Sequence, residues 1–269
     1  MDKIALIGGT GLYKLDFIDT VEKLKIETHY GETEVRKATL QDKEIYFMAR
    51  HGSDHRLPPH LINYRSNIAA LKVLEVELAL STAAVGSLCE EMHPGTLVVI
   101  DQFMDLTKSR DITYYDGSNL PVVHTDFTQP YCPELRQLLI DECQRNGGEF
   151  RKQGTYVTTE GPRFETPAEI KALSSLGGEL VGMTNVPEVI LSREAGICYA
   201  TLALVTNFAA GISPHFLTHE EVLQVMKEQS RRVNDIFHSC ILNSPRQTNC
   251  RCRDAGKYFK IDGKVTKED

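Results

Sequence analysis

The 269-residue sequence contains no run close to the ~20 consecutive apolar residues that a membrane-spanning helix needs. Its first residues lack the long apolar core and the cleavage site of a secretion signal. It also has no excess of basic residues, because 30 lysines and arginines stand against 37 aspartates and glutamates, giving a net charge of −7. These absences predict a cytoplasmic protein without a membrane or nucleic-acid partner.

Neither an internal repeat nor a low-complexity stretch interrupts residues 1–243. That length is enough to bury a sizeable core, and the 41% apolar and 25% charged residues are ordinary for a globular protein. The pattern breaks at Ser244-Pro245, and the residues that follow are polar and charged. We therefore predict one domain over residues 1–243 and a polar C-terminal tail over residues 244–269 that is disordered or weakly ordered.

Seven cysteines are scattered along the chain, an odd number that is typical of buried thiols. Cys250 and Cys252 form a Cys-x-Cys pair in the polar tail, too closely spaced for the ligand pairs of zinc fingers. Two disulfides stay open as alternatives: Cys250 with Cys252, and Cys132 with Cys198 if strand ends bring these two together. Intracellular disulfides occur in hyperthermophiles, so either bond would depend on the source of the protein.

Short apolar runs alternate with amphipathic stretches along the predicted domain. Strands are predicted at residues 4–7, 44–49, 79–85, 96–100, 155–158, 180–183 and 199–206. Helices are predicted at residues 63–74, 134–146, 167–176, 186–195 and 219–242. Several strands are apolar on consecutive residues, as buried parallel strands are. The pattern predicts a single α/β domain with a mostly parallel mixed central sheet flanked by helices, in which ligands bind at the carboxyl ends of strands.

Glycines follow the first predicted strand, in the sequence Gly8-Gly9-Thr10-Gly11. They would let the backbone approach a ligand and turn its amides inward, and Thr10 adds a hydroxyl donor. The loop lacks the Gly-Lys-Ser/Thr of a nucleotide-binding P-loop and the glycine spacing of the dinucleotide fingerprint. A ligand-binding loop and a tight turn between elements both fit it.

A basic loop follows the second predicted strand, where Arg50, His51 and His55 lie close in sequence. The planar guanidinium of Arg50 suits an oxyanion, and each histidine can donate or accept a hydrogen bond. A solvated loop is the alternative, but three donors beside a glycine favour anion binding. A metal site is disfavoured, because no compact set of carboxylates or cysteines accompanies the histidines. The small residues 81–87 at the end of the third strand fit either ligand contact or tight helix–sheet packing.

Two carboxylates, Glu160 and Glu165, follow the strand predicted at residues 155–158, and neither has a lysine partner in its own loop. Asn207 ends the last predicted strand, where its amide offers an acceptor and two donors to the edge of a heterocycle. The alternatives are ordinary loops rich in helix caps and a turn residue. We favour a binding role, because all three side chains come at predicted carboxyl ends of strands.

Four segments occur together in one order: Gly8-Gly9-Thr10-Gly11, Ala49-Arg50-His51-Gly52, Glu160-Gly161-Pro162-Arg163-Phe164 and Gly182-Met183-Thr184-Asn185-Val186-Pro187-Glu188-Val189. With them the sequence resembles, from residue 4 to residue 242, the trimeric nucleoside phosphorylases, which include purine nucleoside, methylthioadenosine and methylthioinosine phosphorylases. The resemblance implies a pentosyltransferase that needs no metal or other cofactor and uses inorganic phosphate as co-substrate. It also implies self-association as a trimer or a dimer of trimers.

The resemblance assigns roles to single residues of this chain. Phosphate would lie among Thr10, Arg50, His51, the backbone of Ala83 and Ala84, and Thr184. The nucleoside would contact Phe164, Glu165, Met183, Asn207, Ala209 and, from a neighbouring subunit, His124. Within this set Met183 would pack under the pentose, and His124 would reach the 5′ end of the sugar. Purine nucleoside phosphorylases place an arginine where Ser53 stands here, so Arg50 would replace that phosphate contact.

The resemblance further implies that Asn207, Glu165 and His219 carry catalysis and choose the substrate. Asn207 can donate to O6 of a 6-oxopurine and accept from N7–H, whereas members that act on 6-aminopurines carry Asp there. Glu165 can accept from the N1–H that adenine lacks. His219 can hydrogen-bond a 5′-hydroxyl, whereas members that take a 5′-methylthio group have an apolar residue there. Inosine and guanosine are therefore the predicted substrates, with methylthioinosine or methylthioadenosine as the alternative.

Two other classes of protein fit the sequence less well. A dinucleotide-dependent oxidoreductase needs a glycine fingerprint followed about 20 positions later by an acidic residue, and the first loop has the wrong spacing. A non-catalytic ligand-binding protein leaves unexplained why an anion loop, a carboxylate and an asparagine all lie at strand ends. Phosphate-dependent release of a free base would separate both classes from a phosphorylase.

Overall fold

The computed structural model describes residues 2–9, 21–52, 56–117, 120–213, 218–245 and 248–267. Its strands are β1 (Asp2–Gly8), β2 (Glu22–Thr28), β3 (Gly31–Leu40), β4 (Lys43–Ala49), β5 (Leu78–Ser87), β6 (Leu97–Val99), β7 (Gln102–Asp105), β8 (Phe150–Arg151), β9 (Thr155–Thr158), β10 (Leu180–Gly182), β11 (Cys198–Phe208) and β12 (Lys264–Lys267). Its helices are α1 (Tyr64–Val73), α2 (Pro133–Asn146), α3 (Pro167–Ser175), α4 (Asn185–Glu194), α5 (His219–Asn243) and α6 (Cys252–Ala255). Among the helices of these ranges, none combines the length and apolar character that crossing a bilayer requires.

Each helix and strand predicted from the sequence is present, with ends within two residues of the predicted bounds. Local chemistry explains the sharp helix starts. At α3 the Thr166 hydroxyl accepts from the backbone N–H of Glu169, whose carboxylate accepts in return from the Thr166 N–H, and Pro167 occupies the first helical position. At α5 the Thr218 hydroxyl accepts from the Glu221 N–H in the same way.

The central strands are buried on both faces, which is why they read as continuous apolar runs. On one face of β1, Ala5 and Ile7 join a core cluster with residues of α1 and α4. On the other face, Ile4 and Leu6 join a cluster with residues of α2 and α5. The protein is therefore a mixed α/β domain with helices on both sides of one sheet, as predicted.

One edge of strand β5 pairs with two different strands, β1 and β10. Its other edge pairs in parallel with β11 along its whole length. On the divided edge, residues 78–81 pair in parallel with β1, and Gly86 and Ser87 pair antiparallel with β10. Residues 82–85 have no strand partner on that edge among the described residues. The sheet therefore opens beside β5, next to the carboxyl ends of β1 and its parallel neighbour β4.

Strands β2 and β3 were not predicted from the sequence. Only Leu24 and Ile26 of β2 and Thr33, Val35 and Ala38 of β3 are buried, and most of the other positions are charged or polar. They form an antiparallel extension of the sheet from β4. Their short buried set was too weak a signal to separate them from a polar loop, as is usual for strands with one face toward solvent.

The expectation of a disordered or weakly ordered tail is wrong for residues 248–267. Strand β12 pairs antiparallel with β2 and becomes an edge of the same sheet. Phe259 is only 2% exposed, and its ring stacks on that of Tyr114 at 4.0 Å between centroids. A mostly polar segment is thus ordered by backbone pairing and a few apolar side chains that enter the main core.

Replacing Phe259 tests whether the tail contributes to stability. We expect Phe259→Ala to lower the free energy of unfolding by about 3–5 kcal/mol, because it empties a core position. Tyr258→Ala is the matched control, since this neighbouring aromatic is half exposed, and it should change stability by no more than about 0.5 kcal/mol. Urea unfolding of both variants measures the difference, and a loss for Phe259→Ala as small as that expected for the control would show that the tail is not part of the cooperative fold.

Candidate active site

A cavity of about 580 Å³ lies at the opening beside β5. Its wall combines residues that lie within six different strands or in the loops that follow them. These are Gly9 after β1, Arg50 after β4, Glu165 after β9 and Thr184 after β10, together with Ala84 of β5 and Asn207 of β11. The cavity therefore gathers the polar groups that the sequence places at carboxyl ends of strands, which is where α/β sheets bind ligands.

Arg50 is held by a buried ion pair with Glu188 of α4. Its Nε donates to Oε2 of Glu188 at 2.6 Å, and its Nη2 donates to Oε1 at 2.8 Å. Both side chains are 1% exposed. A bidentate pair of this kind fixes the plane of the guanidinium as well as its position. The arginine is thereby locked between the sheet and α4.

Neighbouring hydroxyls complete this buried pair. Ser81 accepts from Arg50 Nη2 at 2.6 Å and donates to Oε1 of Glu188 at 2.9 Å. The hydroxyl of Tyr199 donates to the same carboxylate oxygen at 2.6 Å. Burial raises the pKa of Tyr199, which keeps its hydroxyl protonated as a donor. Burial lowers the pKa of Arg50, but the charge and hydrogen bonds of Glu188 outweigh it and the net shift is upward.

The remaining guanidinium nitrogen of Arg50 faces the first glycine loop. A Cβ placed on Gly9 would come within 2.6 Å of Arg50 Nη1, so any larger residue would displace the arginine. Gly9 and Arg50 both line the cavity. A guanidinium nitrogen beside the backbone of a glycine, with no carboxylate of its own in the described structure, is an arrangement suited to an anion.

His51 lies beside Arg50 in the cavity wall and is 6% exposed. Its Nδ1 lies 2.8 Å from the carbonyl oxygen of Leu57. Because a carbonyl only accepts, Nδ1 carries the proton, and in the neutral ring Nε2 is then the acceptor. Thr184, the last residue before α4, brings a hydroxyl to the same cavity without capping the helix.

The two carboxylates after β9 have different partners. Glu160 pairs with Arg110 at 3.1 Å and accepts from the backbone N–H groups of Lys108 and Ser109. Burial raises the pKa of Glu160, but these hydrogen bonds and the Arg110 charge outweigh burial, and the net shift of the pKa is downward. Glu160 is therefore an ionised carboxylate whose partners are protein groups, and its role is structural. Glu165 lines the cavity, and the Thr159 hydroxyl donates to its Oε1 at 2.5 Å. Glu165 is the carboxylate available to a ligand.

Asn207 enters the cavity through an irregularity in β11. The register between β11 and β5 shifts between Val205 and Asn207, as at a β-bulge, and the consecutive residues Thr206 and Asn207 both line the cavity. The amide oxygen of Asn207 accepts from Thr206 Oγ1, and its Nδ2 donates to the Phe208 carbonyl, both at 2.9 Å. A primary amide has two N–H groups and two lone pairs, so one of each remains for a ligand.

Most of the predicted site residues line this one cavity: Arg50, His51, Ala84, Phe164, Glu165, Met183, Thr184, Asn207 and Ala209. Ala83 is not among the lining residues, and its side chain belongs to the buried core on the face of α1 and α4, but the contact predicted for it is through its backbone. His124 lies at a second cavity in the same chain. Thr10, Ser53, His55 and the side chain of His219 fall outside the described residues.

Sequence reasoning missed the residues that position this site. Glu188 belongs to one of the four segments that carry the family resemblance, but the sequence analysis assigns it no role. Its position among the apolar residues Val186, Val189 and Leu191 was a visible signal of a buried charge. Arg110 gave no signal at all. It reaches from a distant loop to the carbonyl oxygens of Met183 and Val186 at 2.6 and 2.8 Å, and so supports the loop between β10 and α4.

One cavity at the strand ends of this mixed α/β domain combines groups that suit an anion with a carboxylate and an amide. Such a cavity is typical of an enzyme that binds a small anion and a heterocycle. Residues 3–242 match the family model described as the Phosphorylase superfamily. The chain belongs to that family.

Known relatives cover nearly the whole chain. A protein of Dictyoglomus turgidum, named a probable 6-oxopurine nucleoside phosphorylase, is 53% identical over 97% of this chain and 99% of its own. The 6-oxopurine nucleoside phosphorylase of Pyrococcus furiosus is 47% identical over 96% and 98%. Among solved structures, methylthioadenosine phosphorylase of Schistosoma mansoni in complex with adenine has a TM-score of 0.87 at 30% identity, covering 96% of both chains.

Breaking the buried ion pair should cost far more than breaking an exposed one. We expect Glu188→Gln to lower the free energy of unfolding by about 3–5 kcal/mol, because it leaves the Arg50 charge buried without its partner. Glu169→Gln removes the exposed pair with Arg163 and should cost no more than about 1 kcal/mol. Denaturant unfolding compares the two variants, and a small loss for Glu188→Gln would contradict the role assigned to this pair.

Proposed function

We propose that this protein catalyses the phosphorolysis of 6-oxopurine nucleosides, inosine and guanosine, to the free base and ribose 1-phosphate. The observation that carries the proposal is the composition of a single cavity. It combines Arg50, Gly9 and Thr184, which suit an anion, with Asn207 and Glu165, which suit a heterocycle edge. The names of the two relatives at 47% and 53% identity support the same activity.

Phosphate would bind where the sheet opens beside β5. Arg50 Nη1 supplies a charged donor held in place by Glu188, and the backbone of Gly9 and Ala84, which line the same cavity, would supply further donors. Thr184 adds a hydroxyl. Because the guanidinium is already oriented, little ordering is needed when phosphate enters. Thr10 completes the set by resemblance to the family.

The purine would lie between Glu165 and Asn207. With Oε1 of Glu165 engaged by Thr159, Oε2 is directed to accept from N1–H of a 6-oxopurine. With one N–H of Asn207 engaged by Phe208, the other donates to O6 or N7 of the base. Adenine lacks N1–H and carries a donor at position 6, so it would leave these groups poorly matched.

Catalysis would then rest on charge stabilisation and positioning. Cleavage of the glycosidic bond develops positive charge on the sugar and negative charge on the base. Phosphate stabilises the first charge and attacks the anomeric carbon, while the amide N–H of Asn207 stabilises the second. Holding phosphate and nucleoside in one cavity supplies a large share of the rate, worth roughly 7–11 kcal/mol in favourable cases.

A 5′-methylthio nucleoside is the second candidate substrate. Val222, in the first turn of α5, lines the cavity and offers an apolar contact that suits a methylthio group. The similarity to a methylthioadenosine phosphorylase structure also favours a 5′-methylthio nucleoside as substrate. By resemblance, His219 would oppose it by hydrogen-bonding a 5′-hydroxyl. The choice between the two sugars therefore depends on the start of α5.

Asn207→Asp tests the base assignment. We expect the ratio of kcat/KM for inosine to that for adenosine to fall by roughly tenfold or more, because a carboxylate repels O6 and accepts from an amino group. The wild-type enzyme should release hypoxanthine from inosine only when phosphate is present. Assays on inosine, adenosine, methylthioinosine and methylthioadenosine supply all the ratios.

Asn146→Asp is the matched control, since it introduces the same charge at an exposed helix end away from the cavity. It should leave every ratio unchanged. A wild-type preference for methylthioadenosine would overturn the substrate assignment, and an unchanged ratio in Asn207→Asp would remove Asn207 from base recognition.

We also propose that the active form is a trimer or a dimer of trimers in which His124 reaches a neighbouring active site. His124 is exposed and belongs to a cavity separate from the one that holds Arg50 and Asn207. His124→Ala should therefore raise the KM for nucleoside without changing the KM for phosphate. Sedimentation at assay concentration measures the assembly, and an active monomer would contradict this proposal.

A further inference from the structure

Four cysteine side chains from three parts of the chain converge on one point. Cys132 immediately precedes α2, Cys198 begins β11, and Cys250 and Cys252 come from the tail. All four sulfur atoms lie within 4.8 Å of one another, and the sulfurs of Cys198 and Cys250 are 3.3 Å apart. All seven cysteines of the protein are free thiols in the structure.

The spacing of these sulfurs matches a tetrahedral metal site. Zinc binds thiolate sulfur at about 2.3 Å, which places the four sulfurs of a tetrahedral site about 3.8 Å apart. Cys132, Cys198 and Cys252 are no more than 2% exposed, and Cys250 is partly buried. Four ligands enclosed by protein, with no position left for water, are typical of structural rather than catalytic zinc.

Groups that can donate to a metal-bound thiolate lie around the cluster. A guanidinium nitrogen of Arg193 lies 3.6 Å from the Cys252 sulfur, and the Thr248 hydroxyl lies 3.5 Å from the Cys198 sulfur. Cys132 occupies the residue before the 14-residue helix α2, where the helix dipole favours negative charge. Outer groups of these kinds orient and neutralise the thiolates of metal sites.

We propose that Cys132, Cys198, Cys250 and Cys252 bind one zinc ion as a structural site. This departs from the sequence-based expectation that the protein has no metal site. A single residue between Cys250 and Cys252 is too short for a zinc-finger ligand pair, but here the other two ligands come from the body of the domain. The ion would tie the tail to α2 and β11, away from the cavity that holds Arg50.

Disulfides are the competing outcome for the same sulfurs. Pairing Cys132 with Cys198 and Cys250 with Cys252 would release two electron pairs to an oxidant and leave no thiolate for a metal. The two outcomes differ in metal content and in the number of free thiols. They are therefore separable on the intact protein.

The test uses the full-length protein, purified under reducing conditions without chelators. We expect one zinc per chain by elemental analysis, and an X-ray absorption spectrum with four sulfurs at about 2.3 Å around the zinc. After denaturation with a chelator and without further reductant, all seven thiols should titrate. Protein that contains no metal would overturn the proposal. This holds whether all seven thiols titrate or only the three that two disulfides would leave.

Variants assign the ligands. Cys250→Ser should lose at least nine-tenths of the zinc, and the thermal midpoint should fall by several degrees, because the metal no longer stabilises the folded chain. Cys89→Ser is the matched control, since Cys89 is a partly buried thiol outside the cluster and should keep its zinc. Zinc retained in full by Cys250→Ser, or a wild-type absorption spectrum with nitrogen or oxygen ligands, would contradict the assignment.

Discussion

The buried pair of Arg50 and Glu188 is the interaction on which the rest of the site depends. It lies where the ends of the sheet meet α4, and Ser81 of β5 and Tyr199 of β11 complete its hydrogen bonds. An ion pair this deep is costly to desolvate, and it persists because nearly every polar atom has a partner. Its consequence is geometric, since one guanidinium nitrogen is held beside the glycine loop in the absence of a ligand.

The cavity exists because the sheet is mixed. If β10 continued the parallel pairing of β1 along β5, the edge at residues 82–85 would be closed by hydrogen bonds. The antiparallel return of β10 leaves that edge open between β1 and Gly86. The irregularity in β11 then turns Asn207 into the same space. Sheet topology therefore brings the proposed anion site and the proposed base site within one cavity.

Features that depend on residues near one another in sequence could be predicted, and features that depend on pairing between distant residues could not. The strands buried on both faces and helices α1 to α5 were predicted correctly, because burial on two faces and capping residues leave signals within a few positions. Strands β2, β3 and β12 were missed, because they have few buried residues and their order depends on backbone pairing across the sheet. Asn207 was found because a polar residue ended a long apolar run. The partnership of Arg50 with Glu188 was missed, because 138 residues separate them.

The central claim is that Glu188 holds Arg50 in position to bind phosphate. A crystal structure with phosphate and hypoxanthine bound tests it most directly, through the distance from Arg50 Nη1 to the nearest phosphate oxygen. We expect a hydrogen bond of about 2.7–2.9 Å there, with Nε and Nη2 of Arg50 still on Glu188. Phosphate bound away from Arg50, or reached only after Arg50 has left Glu188, would contradict the account.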